Sequence, residues 1–200
     1  MISVNMDSLW SCETKLIIKG IKEATENIIY YAHCNNHSQN LLLELGNDIY
    51  DICNVWTGKT YVGCEKTKEL QDAFQKFFTA LMYLLLKMKN SPRDYEVRVA
   101  KAMLYTGTVY RYLGKNEPNK IKVVPVYNNI YVSWSKLPTN HYFLSKLYGP
   151  VTWMACNIVE PQYGIDLEVI GCSRANEREV VFPTIESCIT EIKYIMEDER

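Results

Sequence analysis

The sequence predicts an α+β fold in which a helical N-terminal lobe packs on a mixed, mainly antiparallel β core. Two observations support this prediction. Apolar residues recur at intervals of three and four in the first half of the chain, which is typical of amphipathic helices. After Gly107 they alternate with polar residues, which is typical of half-buried strands. We therefore expect a single domain with a helical lobe at 1–105 and a β-rich core at 106–200.

The first half carries three apolar stripes at helical spacing. They are centred on Ile17 to Tyr31, Leu42 to Trp56 and Phe74 to Met88. Asn90-Ser91-Pro92 then separates the third helix from a fourth. Because Ser is a favoured cap and Pro is tolerated in the first turn, we expect the fourth helix to begin at Pro92 and to continue to about Tyr105.

The second half predicts a series of strands. We expect them near residues 108–113, 121–127, 129–134, 151–159, 164–170 and 177–182. The segment 190–196 suits a helix or a strand equally well, because its apolar residues fit both periods.

Composition excludes several function classes. The 200 residues carry a formal net charge of -1 with a pI near 6.3, so no basic surface that attracts nucleic acid is expected. The seven cysteines are odd in number and irregularly spaced, which favours a reducing compartment. The longest apolar run, Phe77 to Leu86, is shorter than the roughly 20 residues that span a bilayer. No secretion signal is evident, so we expect a soluble cytoplasmic protein without membrane contact.

Two tempting motifs lack their partners. His33 and His37 lie one helical turn apart, but no second ligand pair completes a metal site, so we expect no metal ion. Gly58-Lys59-Thr60 echoes a phosphate-binding loop, but Cys53 stands where such a loop begins with Gly.

Glu177 and Glu179 are the most informative residues. If their segment is a strand, both carboxylates lie on one face while Val180 and Phe182 anchor the other. Like charges at that distance repel, so a fold usually places them together only where a site uses them. The alternative is a solvated strand face, which is common.

Two upstream strands add polar residues to this pattern. Arg111 is predicted on the same face as Val109 and Leu113, and a guanidinium on an apolar face requires an anion. Ser133 and Ser135 share one face of a later strand. The chain thus presents arginine, Ser-x-Ser and Glu-x-Glu in order, each on a predicted strand.

This ordered pattern resembles the mono-ADP-ribosyltransferases of the arginine-serine-glutamate class, the biglutamate, arginine-modifying type. The matching segments are Tyr110-Arg111, Ser133-Trp134-Ser135 and Glu177 to Pro183. The resemblance covers roughly residues 106 to 200. It implies the ADP-ribosyltransferase type of β core, with NAD as a substrate bound in a cleft between lobe and core.

The resemblance also implies roles for individual residues. Glu179 would stabilise the cation that forms when the nicotinamide-ribose bond breaks, and Ser133 would orient its carboxylate. Arg111 and Ser135 would contact NAD, with the guanidinium on the pyrophosphate. Glu177 would accept a proton from the acceptor.

The nicotinamide ring usually stacks on an aromatic side chain in this family. Tyr142 and Phe143, shortly after the serine motif, are the nearest candidates.

The expected activity is transfer of ADP-ribose from NAD to a macromolecule. The acceptor expected first is an arginine side chain of a protein. Three alternatives stay open: hydrolysis of NAD, transfer to a nucleic acid, and an interaction module of the same fold without turnover. A toxin or effector of this type would also be expected to have a regulatory or antitoxin partner.

Overall fold

Helices occupy the first half of the chain and strands the second. The computed structural model describes residues 6–34, 38–59, 67–112, 130–138, 151–172, 178–183 and 185–195. The chain divides into two compact units, Met1–Ala100 and Lys101–Arg200. The boundary lies close to residue 105, where the helical lobe was predicted to end.

The first three helices of the first unit follow the three predicted stripes, and a fourth comes after them. They are α1 (Met6–His33), α2 (Gln39–Lys59), α3 (Lys68–Lys89) and α4 (Asp94–Met103), which extends across the unit boundary. Thr67 caps α3 by accepting a hydrogen bond from the backbone N–H of Leu70 at 3.2 Å.

The first unit buries a core of aromatic and aliphatic side chains. The ring of Trp56 meets Phe74 and Phe78 edge-on, each with a centroid distance of 5.0 Å. Ile21 and Ile28 of α1 are completely buried. Because the apolar stripes of these helices pack against one another within the first unit, the apolar period was sufficient to predict where the helices lie.

The fourth helix differs from its prediction at both ends. It begins at Asp94 instead of Pro92, and the Ser91 hydroxyl accepts a hydrogen bond from the backbone N–H of Arg93 at 3.2 Å, one residue before the helix. It ends at Met103, because the next two residues, Leu104 and Tyr105, pair with another strand.

Seven strands of the second unit form one sheet. They are β1 (Leu104–Tyr105), β2 (Gly107–Tyr112), β3 (Tyr131–Ser135), β4 (Val151–Ile158), β5 (Gly164–Asp166), β6 (Glu179–Pro183) and β7 (Ile189–Ile195). Their order in the sheet is β1-β5-β6-β3-β2-β4-β7, and all neighbouring pairs among these strands are antiparallel. The predicted α+β class is confirmed, and the ambiguous C-terminal segment is strand β7. The strand predicted at 121–127 lies outside the described residues.

One face of the sheet carries the hydrophobic core of the second unit. Its buried members are Val109, Trp134, Met154, Cys156, Ile158, Val180, Phe182 and Cys188. The Trp134 indole N–H donates to the carbonyl oxygen of Phe182 at 3.1 Å, so the largest of these side chains has its polar atom satisfied.

Gly164 allows β5 to lie against this core. A Cβ at this position would come within 2.4 Å of Cγ1 of Val180. A larger residue would push β5 away from β6, which carries Glu179.

Candidate active site

The three strands that carry the predicted motif are neighbours in the sheet. The order β6-β3-β2 places Ser135 directly opposite Glu179 on one side and opposite Tyr110 on the other. Side chains of directly paired residues lie on the same face, so Tyr110, Ser135 and Glu179 form a row across three strands. The sheet therefore brings together residues that are far apart in sequence.

Ser133 contacts Glu179 within this arrangement. It pairs with Val181, two residues along β6 from Glu179, and therefore lies diagonally across from Glu179 on the same face. The Ser133 hydroxyl donates a hydrogen bond to Oε1 of Glu179. This hydrogen bond is the one that the resemblance implied.

Glu179 is buried, with only 1% of its surface exposed. Burial makes an ionisable group costly unless polar partners surround it. The alternate residues of β6, Val180 and Phe182, lie in the core on the other face, as the strand alternation predicted. Two apolar anchors thus fix the strand that presents the carboxylate.

The strand predicted at 177–182 begins at Glu179 in the structure. The preceding Arg178 has a φ of 42°, in the left-handed region, so the regular alternation of β6 is established only from Glu179 onward. The placement of the two glutamates on one face stays a prediction. Glu177 itself lies outside the described residues.

Arg111 is linked to the site by a hydrogen bond to the backbone carbonyl of Ser133. On β2, Arg111 is two residues from the fully buried Val109 and therefore shares its face. It also pairs with Met154 of the core, so its side chain leaves the sheet on the core face, as predicted. The half-buried guanidinium donates through Nη1 to the carbonyl oxygen of Ser133 at 2.9 Å. Tyr110, by contrast, lies on the Glu179 face, which the sequence prediction did not recognise.

Ser135 has a local role in the structure. Its hydroxyl accepts from the backbone N–H of Leu137 at 3.0 Å and donates to the carbonyl oxygen of the same residue at 3.2 Å. These bonds shape the end of β3. The predicted nicotinamide-stacking residues Tyr142 and Phe143 lie outside the described residues.

A charged cluster next to the site was missed by the sequence prediction. The ammonium of Lys136, the residue after β3, lies 2.8 Å from Asp166 and 2.5 Å from Glu168. Glu168 also lies 3.4 Å from Nε of Arg178. We call these four residues the Lys136 cluster. Lys136 directly follows Ser-x-Ser in sequence, but nothing in the sequence indicates its partners.

The contacts within the Lys136 cluster change the acidity of its members. Burial alone would lower the pKa of Lys136, but the hydrogen bonds to Asp166 and Glu168 outweigh it and raise the pKa above 10.5. The hydrogen bond from Lys136 holds the pKa of Glu168 below its ordinary 4.5. Both groups are therefore charged at neutral pH.

The described residues contain neither a metal-binding group nor a membrane-spanning helix. No group of three or more His, Cys, Asp or Glu side chains in that part of the chain is arranged to hold a metal ion. Within the same ranges, no helix has both the length and the apolar character needed to cross a bilayer.

Comparisons of this chain with protein-family models, with curated proteins and with solved structures return no match.

Proposed function

We propose that this protein cleaves NAD at the nicotinamide-ribose bond and transfers ADP-ribose to a macromolecular acceptor. The preferred acceptor is an arginine side chain of a protein. The observation that carries this proposal is the hydrogen bond from the Ser133 hydroxyl to Glu179, on adjacent strands of the sheet. The ADP-ribosyltransferase type of β core is part of the same proposal.

The chemistry requires a carboxylate with a fixed orientation. Departure of nicotinamide leaves positive charge on the ribose, as in glycoside hydrolysis, where paired carboxylates stabilise a similar transition state. Glu179 is followed on β6 by the buried anchors Val180 and Phe182, and one of its oxygens is held by Ser133. Such preorganisation supports a role in stabilising developing charge, because the orientation of the carboxylate is already fixed once the site has opened to NAD.

Arg111 supports the site in a second way. Its Nη1 already fixes the Ser133 carbonyl, and a guanidinium offers five N–H donors in one plane. We assign the pyrophosphate of NAD to this side chain because a planar fork suits phosphate oxygens. Since Arg111 and Glu179 leave the sheet on opposite faces, this assignment requires NAD to contact both faces. Glu177, which lies outside the described residues, is assigned the role of the base that accepts a proton from the acceptor group.

The burial of Glu179 favours one further candidate, an interaction module of this fold without turnover. A carboxylate that is 1% exposed reaches a substrate only if neighbouring groups move aside. NAD binding distinguishes the two candidates, since an enzyme must open this site to NAD and an inactive module need not.

The decisive experiment measures nicotinamide release from NAD by the purified protein, with and without cell extract. Release only with extract indicates transfer, and equal release in both indicates hydrolysis with water as the acceptor. Labelled NAD and mass spectrometry of modified residues then separate protein from nucleic-acid acceptors. No release under either condition, together with no NAD binding by calorimetry, would support the inactive module.

A further inference from the structure

The corner before β6 determines how Glu179 enters the sheet. Arg178 has a φ of 42°, in the left-handed region that residues with a side chain rarely adopt. Such a conformation persists only where surrounding contacts fix it. At this corner the contacts come from β3 and from the segment that follows β5.

Backbone hydrogen bonds fix both residues at the corner. The Lys136 N–H donates to the carbonyl oxygen of Arg178 at 3.1 Å. The Leu167 N–H donates to the carbonyl oxygen of Glu179 at 3.0 Å. The backbone carbonyls before and after the Cα of Glu179 are therefore held by two different segments.

Side chains tie those two segments together. The Lys136 ammonium contacts both Asp166 and Glu168, and Asp166 accepts a further hydrogen bond from the Glu168 N–H at 3.1 Å. Glu168 in turn contacts Nε of Arg178. Lys136 is only 16% exposed, so solvent screens its contacts less than those of a surface pair.

We propose that Lys136 and Glu168 are positioning residues that act through Glu179, by fixing the Arg178 corner from which the carboxylate enters the site. This inference rests on the proposed function for its kinetic consequence. Neither residue contacts the Ser133–Glu179 hydrogen bond directly, and the effect of each is transmitted through the backbone of Arg178. Lys136, Asp166 and Glu168 lie outside the three segments that suggested the activity, whereas Arg178 lies within the segment Glu177 to Pro183.

The principal test is Glu168→Gln, which keeps the shape of the side chain and removes its charge. Glu168 is 42% exposed, so the variant should fold. We expect kcat for nicotinamide release to fall by about ten-fold or more, because small displacements of a catalytic group are costly, while KM changes by less than about three-fold. Lys136→Met should give the same pattern. Lys19→Met, which breaks the exposed Lys19–Glu23 pair of α1, is the matched control and should leave kcat unchanged.

A double-variant test separates positioning from a general loss of structure. If the cluster acts through Glu179, Glu168→Gln should cause no additional loss in a Glu179→Gln background. An equal fractional loss in both backgrounds would show that the cluster acts by another route and would overturn the proposal.

A spectroscopic measurement keeps the inference testable without activity. The ¹³C carboxyl resonance of Glu179, assigned by its disappearance in Glu179→Gln, should move in Glu168→Gln and stay in place in Lys19→Met. If wild-type protein releases no nicotinamide, the proposed function fails and this resonance alone decides the inference. An unmoved resonance overturns the positioning role, and so does wild-type kcat in Glu168→Gln if the wild type is active.

Discussion

The Ser133 hydroxyl donates to Oε1 of Glu179 across 46 residues of sequence, and the Ser133 carbonyl accepts from Arg111 across another 22. One serine therefore links the arginine strand to the glutamate strand through two different atoms. Any change at Ser133 that affects its hydroxyl alone should disturb Glu179 and leave the Arg111 contact in place. The hydrogen bond to Glu179 and the hydrogen bond from Arg111 can therefore be removed one at a time by substitution.

Ser133→Ala should slow nicotinamide release by about 10 to 10²-fold, because Glu179 loses the donor that orients it. The loss of a hydrogen bond to a buried carboxyl should also lower the free energy of unfolding by about 1 to 3 kcal/mol. Steady-state kinetics and urea unfolding measure the two effects. Ser135→Ala is the comparison on the same face, and its effect on kcat should be clearly smaller, since its hydroxyl bonds to Leu137. Equal kinetic effects at the two serines would contradict a specific role for Ser133.

Glu179→Gln should reduce both ADP-ribose transfer and NAD hydrolysis by at least about 10²-fold, since both reactions form the same cation. Gln retains an oxygen that can accept from Ser133, and it removes an ionisable group from a buried position. We therefore expect melting at or above the wild-type temperature, whereas Glu179→Ala should melt lower because it leaves a cavity. Nicotinamide release and thermal melting test these expectations. A substantial loss of stability in Glu179→Gln with normal kcat would make Glu179 a purely structural residue.

Glu177→Gln should abolish transfer to arginine and leave slow NAD hydrolysis, because water needs less assistance once the cation has formed. Assaying both reactions with the same purified variant gives the ratio of transfer to hydrolysis. Parallel loss of the two reactions in Glu177→Gln and Glu179→Gln would remove the assignment of separate roles.

Arg111→Lys should weaken NAD binding by about 1 to 3 kcal/mol, since an ammonium keeps the charge and loses the planar fork. Folding should change little, because the lost bond to the Ser133 carbonyl is worth only about 1 kcal/mol. Calorimetric titration with NAD and thermal melting report the two quantities. Melting of the protein with unchanged NAD affinity in the folded fraction would instead make Arg111 a structural residue.

The parts of this fold that sequence predicted are those determined by local periodicity. Helices α1 to α3 bury long stripes, so the pattern of each segment is sufficient to locate it. The β7 segment was ambiguous because its state depends on pairing with β4, at a register in which Val151 meets Ile195. Such pairing is not encoded in the segment itself.

In the candidate site too, sequence predicted the local motif and missed the features that depend on distant contacts. Ser133 and Glu179 were found through an ordered motif, and their contact needs only the strand order to be right. The Arg178 corner was missed because a positive φ at a residue other than Gly has no sequence signal. The partners of Lys136 were missed because Asp166 lies 30 residues away on a short strand.

In the helical unit, Tyr31→Phe should lower the free energy of unfolding by about 1 to 3 kcal/mol, because a buried carboxylate loses a donor. The Tyr31 hydroxyl donates to Oε1 of Glu96 at 2.9 Å, and both residues are 1% exposed. Urea unfolding measures the loss. Tyr83→Phe on the exposed face of α3 is the control and should change stability by less than about 0.5 kcal/mol. Matching effects at the two tyrosines would show that the Tyr31–Glu96 bond contributes nothing.

The stabilising effect of the Lys136 cluster should depend on pH in a defined window. The pKa of Glu168 is lowered by the hydrogen bond from Lys136, so its contribution is fully present above pH 4.5 and is lost as the pH falls through the lowered value. The pKa of Lys136 is raised in spite of burial, through Asp166 and Glu168, so its contribution is complete below pH 10.5 and is lost only above the raised value. Lys136→Met should therefore destabilise the protein most between these limits, with a difference from wild type that shrinks in acid. Because Glu168 is 42% exposed and solvent screens its charge, the part of the difference that is lost in acid should be no more than about 1 kcal/mol.

Urea unfolding of wild type and Lys136→Met at several pH values gives this difference directly. Lys19→Met supplies the matched control, because its exposed ion pair at 3.5 Å should be worth no more than about 1 kcal/mol at any pH. If the Lys136→Met difference is as large well below pH 4.5 as at pH 7, the stabilisation does not come from the charge contact with Glu168. The side chain would then act through the packing of its apolar stem or through its ammonium, which lies 5.5 Å from the centroid of the Tyr105 ring.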